Sequence, residues 1–207
     1  MRESHSVERN LGVLISGRGS NLQAIIDAIC DGRLEARLAV VISNRADAYG
    51  LERARAAGID TLVRDHKAWP SREAYESVLV EDLRARNVDL VCLAGFMRLL
   101  GATFVNAFPS RILNIHPALL PSFPGLHAQR QAVEHGVKMS GATVHFVTTD
   151  LDAGPIVLQA SVPVLDADTE DTLSARILEA EHRIYPEAIQ KILNGGWRVD
   201  GRRLTIG

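Results

Sequence analysis

Asn114-Ile115-His116-Pro117 closes an apolar run, residues 111–115, that reads as a buried strand. Alternate residues of an extended chain share a side, so Asn114 and His116 would face one way and Ile115 the other. An asparagine amide can donate to a developing oxyanion, and histidine carries protons near neutral pH. The bland alternative is a histidine hydrogen-bonded in a loop. Asp150-Leu151-Asp152-Ala153-Gly154 places carboxylates in a turn. Brought against His116, such a carboxylate would stabilise the imidazolium. Otherwise acids in a turn are solvated or bond their own backbone.

Ser16-Gly17-Arg18-Gly19-Ser20-Asn21-Leu22 lies between a strand pattern and a helix pattern. Glycines there allow a tight turn, and a helix start offers free N–H groups to an anion. The loop fits a phosphate cradle or a plain strand–helix turn. It lacks the third glycine of the dinucleotide fingerprint, since Leu22 stands there, and Ser43-Asn44-Arg45 supplies no acid after the second strand. No Gly-Lys-Ser/Thr follows, so it is not a Walker loop. The other histidines show no H-E-x-x-H spacing, and no metal site is expected. His145 alternates with apolar residues and reads as structural, while His127 could line a pocket. No serine sits in a nucleophile elbow.

The elements that must carry these residues alternate. Apolar runs at 11–15, 38–42, 61–63, 89–94 and 111–115 predict strands, and 20–31, 50–57, 71–86 and 103–108 predict helices. This alternation implies an α/β fold: an open, mostly parallel, Rossmann-like sheet with helices on both faces. Segments 142–147 and 156–164 predict an antiparallel addition near the C-terminus. A long helix capped by Asp168 or Thr169 should run to about Leu193, kinked or broken at Pro186. A small hairpin around Asp200-Gly201 should follow.

The chain has 207 residues, 46% of them apolar and 23% charged, with a net charge of −2. That is ordinary globular composition, enough for one core. A polar extension over residues 1–10 and a single domain over residues 11–207 are expected. The acidic balance gives no basic footprint for nucleic acid. No apolar run reaches membrane-spanning length, and no signal-peptide pattern opens the chain, so the expected location is cytoplasmic. Cys30 and Cys92 are expected as reduced core residues.

Taken together, the motifs resemble the phosphoribosylglycinamide formyltransferases, folate-dependent enzymes of purine synthesis. The resemblance runs through Leu14–Ile25, Ser43–Ala48, Ser71–Tyr75, Leu93–Arg98, Leu113–Pro121, Phe123–His127, Gly141–Val147, Leu151–Ile156 and Glu181–Pro186, nearly the whole chain in one order. It implies formyl transfer from 10-formyltetrahydrofolate, as co-substrate and without a metal, to the amine of glycinamide ribonucleotide. It implies Asn114, His116 and Asp152 as catalytic residues. It implies a phosphate loop at Ser20, Asn21 and Leu22 after Gly19, with Glu181 on the glycinamide side. Folate contacts are implied for Arg72, for Met97, Arg98, Leu99 and Leu100, and for the loop from Thr148 through Asp150 to Asp152. Gln129 stands where some members carry a second histidine, and Arg18 where asparagine is often seen.

Rival readings remain. A 10-formyltetrahydrofolate hydrolase could use the same Asn–His–Asp set, but that family has an N-terminal regulatory domain for which ten residues leave no room. A methionyl-tRNA formyltransferase would carry a further C-terminal domain and suits an acidic chain poorly. A binding module would not need the catalytic set. A sheet edge could pair two copies into a homodimer.

Overall fold

A strand apolar on both sides must be covered on both sides, and β1 (Asn10–Ile15) is buried from Leu11 onward. The computed structural model describes residues 9–206. The expected polar extension therefore lies, for residues 1–8, outside the described residues. After β1 come α1 (Ser20–Cys30), β2 (Arg37–Ser43), α2 (Gly50–Ala56), β3 (Thr61–Val63), α3 (Arg72–Arg84), β4 (Leu90–Leu93), α4 (Ala102–Ala107) and β5 (Ile112–His116). Then follow α5 (Ala128–Glu134), β6 (Met139–Phe146), β7 (Ile156–Pro163), α6 (Glu170–Leu193), and a separate hairpin of β8 (Trp197–Asp200) and β9 (Arg203–Ile206).

The main sheet has seven strands in the order β3-β2-β1-β4-β5-β6-β7. The strands from β3 across to β5 pair in parallel, β6 runs antiparallel to β5, and β7 antiparallel to β6. This is the expected mostly parallel sheet with an antiparallel addition. The chain moves from β1 one way to β2 and β3, then returns to β4 and β5 on the other side. Such a reversal opens a crevice beyond the C-terminal strand ends, where ligands bind in open α/β sheets.

Alternation along the strands builds two apolar layers. Leu11, Val13 and Ile15 pack with Leu22 and Ile25 of α1 and Ile177, Ile184 and Ile189 of α6. Leu14, Val40 and Val91 pack on the opposite face with Tyr75, Leu79 and Leu83 of α3 and Phe104 of α4.

Several expectations are corrected. Of the kink or break expected at Pro186, the break does not occur: α6 runs on through it for 24 residues. A helix-interior proline costs about 3 kcal/mol, but buried apolar side chains contribute roughly 1.5–3 kcal/mol each. Leu173 and Ile177 before Pro186 and Ala188, Ile189 and Ile192 after it are all buried. The Tyr185 hydroxyl also sits 3.0 Å from the Leu93 carbonyl and 3.1 Å from that of Leu113, fastening the helix to β4 and β5. Cys30 is exposed, because it ends α1, whereas Cys92 is buried in β4. Strand β6 begins three residues before the expected 142. Helix α5 and a short 3-10 turn at His66–Ala68 were not anticipated. No helix among the described residues is long and apolar enough to cross a membrane.

Candidate active site

The C-terminal end of β5 and the facing part of β6 supply the core of the site. Their register sets Asn114 opposite His145 and His116 opposite Thr143. Ile115 turns the other way into the core, as the alternation predicted. Directly opposed residues project on the same side, so the Asn114 Nδ2 reaches His145 Nε2 at 3.2 Å. His145 Nδ1 lies 2.9 Å from its acceptor, the Phe146 carbonyl, and must carry the hydrogen. Nε2 is then the bare nitrogen and accepts from Asn114. Burial holds the His145 pKa below the ordinary histidine value, which keeps it in this neutral form. One Asn114 amide hydrogen is thereby used, and the second remains to be donated elsewhere.

Asp152 arrives on the turn between β6 and β7. Its φ of +48° is left-handed, a conformation that aspartate tolerates better than most residues. Its Oδ2 accepts from the Gly125 N–H at 2.8 Å and lies 3.4 Å from His116 Nδ1. Gly154 makes the turn possible, since a Cβ there would collide with the Phe146 carbonyl oxygen. The His116 side chain is 5% exposed and that of Asp152 10%. Their interaction is therefore less screened than a surface pair. His116 Nε2 donates to the Phe123 carbonyl at 2.8 Å. The ring is held at both nitrogens, by a carboxylate on one side and a neutral carbonyl on the other. The structure thus brings Asn114, His116 and Asp152 together.

The glycine loop lies beyond β1. Gly19 has φ +69°, and a Cβ there would stand 2.6 Å from Gly50 Cα, so two backbones touch. The first bond of α1 runs from the Gln23 N–H to the Gly19 carbonyl. The N–H groups of Ser20, Asn21 and Leu22 have no protein acceptor among the described residues, and no acid occupies the first turn. Arg18 is exposed. Asn21 Nδ2 donates to Glu181 Oε2 at 2.7 Å, joining the loop to α6. Burial pushes the Glu181 carboxyl up to about 7, against the pull of the Asn21 bond.

Part of the third group, Arg72 with Arg98, Leu99 and Leu100, meets at the start of α3. Arg72 opens α3, where the Ser71 hydroxyl caps by accepting from the Ala74 N–H at 3.1 Å. Arg72, Arg98, Leu99 and Leu100 line a cavity of about 190 Å³ together with Trp69 and Tyr75. Met97 and Leu99 are two-thirds exposed, Arg98 is exposed and Leu100 is buried. The Thr148 hydroxyl donates to the carbonyl of exposed Asp150 at 3.2 Å. Among the described residues no cluster of three or more His, Cys, Asp or Glu side chains is placed to hold a metal ion.

The formyl transferase family model matches residues 9–189. The chain is 51% identical over 193 residues to the phosphoribosylglycinamide formyltransferase of Escherichia coli (strain K12), covering 93% of this chain and 88% of that one. This chain belongs to the formyl transferase family, among its phosphoribosylglycinamide formyltransferases. The crystal structure of glycinamide ribonucleotide transformylase 1 from Symbiobacterium toebii agrees with a TM-score of 0.95 at 61% identity, over 96% of this chain and 94% of that one. A further relative, the trifunctional purine biosynthetic protein adenosine-3 of Drosophila melanogaster, is 52% identical over 189 residues, but the chain spans only 14% of its length. These relatives favour formyl transfer over the hydrolytic alternative.

Within this formyltransferase fold, sequence reasoning missed three contributors. His145 was read as structural, and only the strand register reveals it behind Asn114. The carbonyl of Phe123 and the N–H of Gly125 hold His116 and Asp152. Both come from the segment after Pro117, where φ is +53° at Phe123 and +82° at Gly125. The Phe123-Pro124-Gly125 run was the only available signal for them.

Proposed function

We propose that Asn114, His116 and Asp152 transfer the formyl group of 10-formyltetrahydrofolate to the amine of glycinamide ribonucleotide. The observation that carries this reading is the free second donor of Asn114 beside the Asp152-paired ring of His116. The amine attacks the formyl carbon and creates a tetrahedral oxyanion. The uncommitted Asn114 N–H donates to that oxygen. His116 supplies a second donor when the oxyanion displaces the Phe123 carbonyl from Nε2, while Asp152 keeps Nδ1 paired. As the adduct collapses, the bond from the formyl carbon to the folate nitrogen breaks; the attacking nitrogen gives up its extra proton and the departing nitrogen takes one, so that tetrahydrofolate and the N-formyl product leave.

The ribonucleotide phosphate suits the unpartnered N–H groups of Ser20, Asn21 and Leu22, by charge and by geometry. Glu181, bonded to Asn21, stands next to that loop on the glycinamide side. Arg72, Met97, Arg98, Leu99, Leu100, Thr148 and Asp150 are assigned to the folate. A cytoplasmic location and a homodimer remain expectations of this reading. The test follows tetrahydrofolate release from 10-formyltetrahydrofolate with and without glycinamide ribonucleotide. Release that requires the ribonucleotide and yields its N-formyl product supports transfer. Equal release without it means hydrolysis, and the phosphate-loop assignment falls.

A further inference from the structure

Glu76 sits within α3, and its side chain is 2% exposed. A carboxylate is almost never buried so fully without strong partners. Glu76 has three. Its Oε1 accepts from Arg72 Nε at 2.9 Å and from the Gly101 N–H at 2.6 Å, and its Oε2 accepts from the Phe104 N–H at 3.2 Å. Gly101 and Phe104 are the N-cap residue and the third residue of α4, which has no side-chain cap of its own. One carboxylate therefore closes that helix start and grips the guanidinium that opens α3.

The grip has a direction. With Nε committed to Glu76, the two terminal nitrogens of Arg72 have no protein acceptor among the described residues. The Arg72 side chain remains 47% exposed. A Cβ at Gly101 would stand 3.1 Å from the guanidinium carbon, so the group rests against bare backbone there. The stretch Met97, Arg98, Leu99 and Leu100 runs directly into Gly101. Two parts of the folate side, Arg72 and the Met97–Leu100 stretch, thus end on the same buried carboxylate.

We propose that Glu76 is a positioning residue for the folate side, fixing the Arg72 guanidinium and the Met97–Leu100 stretch relative to one another. The proposal rests on the folate reading of those residues given above. Glu76 borders the same cavity, but its carboxylate oxygens are spent on Arg72, Gly101 and Phe104; its part is to aim the free edge of Arg72, a planar fork suited to a carboxylate or carbonyl.

Steady-state kinetics of Glu76→Gln, Arg72→Ala, the double variant and Gly101→Ala test this. The glutamine is nearly isosteric and loses the charge that orders Arg72. KM for 10-formyltetrahydrofolate should rise on the order of tenfold, the loss of one charge-assisted hydrogen bond. The turnover number and KM for glycinamide ribonucleotide should stay within about twofold, since uniform binding alone is lost. In the double variant, Glu76→Gln should add little to Arg72→Ala. A lowered melting temperature with an unchanged folate KM would leave Glu76 as a helix cap only and overturn the proposal. An Arg72→Ala protein with normal folate KM would remove the folate reading of Arg72 and the positioning role with it. If Glu76→Gln does not fold, Gly101→Ala decides: its φ of −94° accepts alanine. The added methyl should displace the guanidinium and raise the same KM, and an unchanged KM overturns the proposal.

Discussion

His145 Nε2 faces the Asn114 amide nitrogen at 3.2 Å while its Nδ1–H is spent on the Phe146 carbonyl. This fixes which way the amide points, nitrogen toward the histidine and oxygen away. His145→Phe should therefore lower the turnover number by about tenfold, the cost of losing one orienting hydrogen bond and leaving an amide hydrogen unpaired. His145→Gln, which can still accept, should recover part of it. Equal rates for wild type and His145→Phe would show that Asn114 needs no such support.

Asn114→Ala removes the uncommitted amide N–H that the proposed mechanism aims at the oxyanion, and a loss of about 10²–10³ in turnover is expected. Asp152→Asn keeps the shape of the turn but withdraws the charge beside His116 Nδ1 and should also cost at least about tenfold. Circular dichroism should show both variants folded. Near-normal turnover in either would remove the role assigned to that residue.

Glu181 gives the protein a particular pH dependence. Its carboxyl is raised to about 7 from an ordinary 4.5, first by burial, with the Asn21 bond opposing. The folded chain thus holds a proton in this window that the unfolded chain has released. This contribution is full below about pH 4.5 and is lost as pH rises to about 7, a change of about 3 kcal/mol. Urea unfolding from pH 5 to 8 should show Glu181→Gln gaining on wild type as pH rises. A difference that stays constant across that range would contradict the raised pKa.

Gly19→Ala places a Cβ at φ +69° and 2.6 Å from Gly50 Cα. Left-handed strain alone costs about 1–2 kcal/mol. KM for glycinamide ribonucleotide should rise by about tenfold while that for the folate moves by less than about twofold. Equal changes in both constants would argue against a phosphate role for the loop.

Tyr185→Phe tests the anchor between α6 and the sheet. The hydroxyl lies within hydrogen-bond reach of the Leu93 and Leu113 carbonyls in a fully buried position. Its removal should cost about 1–3 kcal/mol of unfolding free energy, since buried carbonyls lose a donor. An unchanged melting temperature would show that those carbonyls are satisfied without it.

The parallel sheet was legible because its strands are short apolar runs between helical patterns. Asn114 and His116 stood out as candidates because they end one such run with the right alternation, and the register of β5 on β6 keeps them on one side of the sheet. His145 was not, because a histidine flanked by Val144 and Phe146 looks like any core position until β5 is laid beside β6. Helix α5 escaped notice because it is seven residues long and begins after a left-handed His127, with no side-chain cap. The break allowed for at Pro186 does not occur, because the buried stripe that local propensity ignores holds α6 on the sheet. Burial of Cys30 was assumed from residue type, while its place at the end of α1 leaves it in solvent.

The opposition of Asn114 and His145 also makes the site sensitive to counting. Side chains in a strand alternate, so losing one residue between Met139 and His145 while β6 keeps its pairing upstream would turn His145 to the face packed on α6 and bring Phe146 to Asn114. Losing two would restore the face but shift the partner. Changes of length in the segment between β5 and β6 carry no such parity rule, because slack there can be absorbed before pairing begins. The chemistry is thus written partly in the phase of one strand against another, a quantity that no single side chain carries.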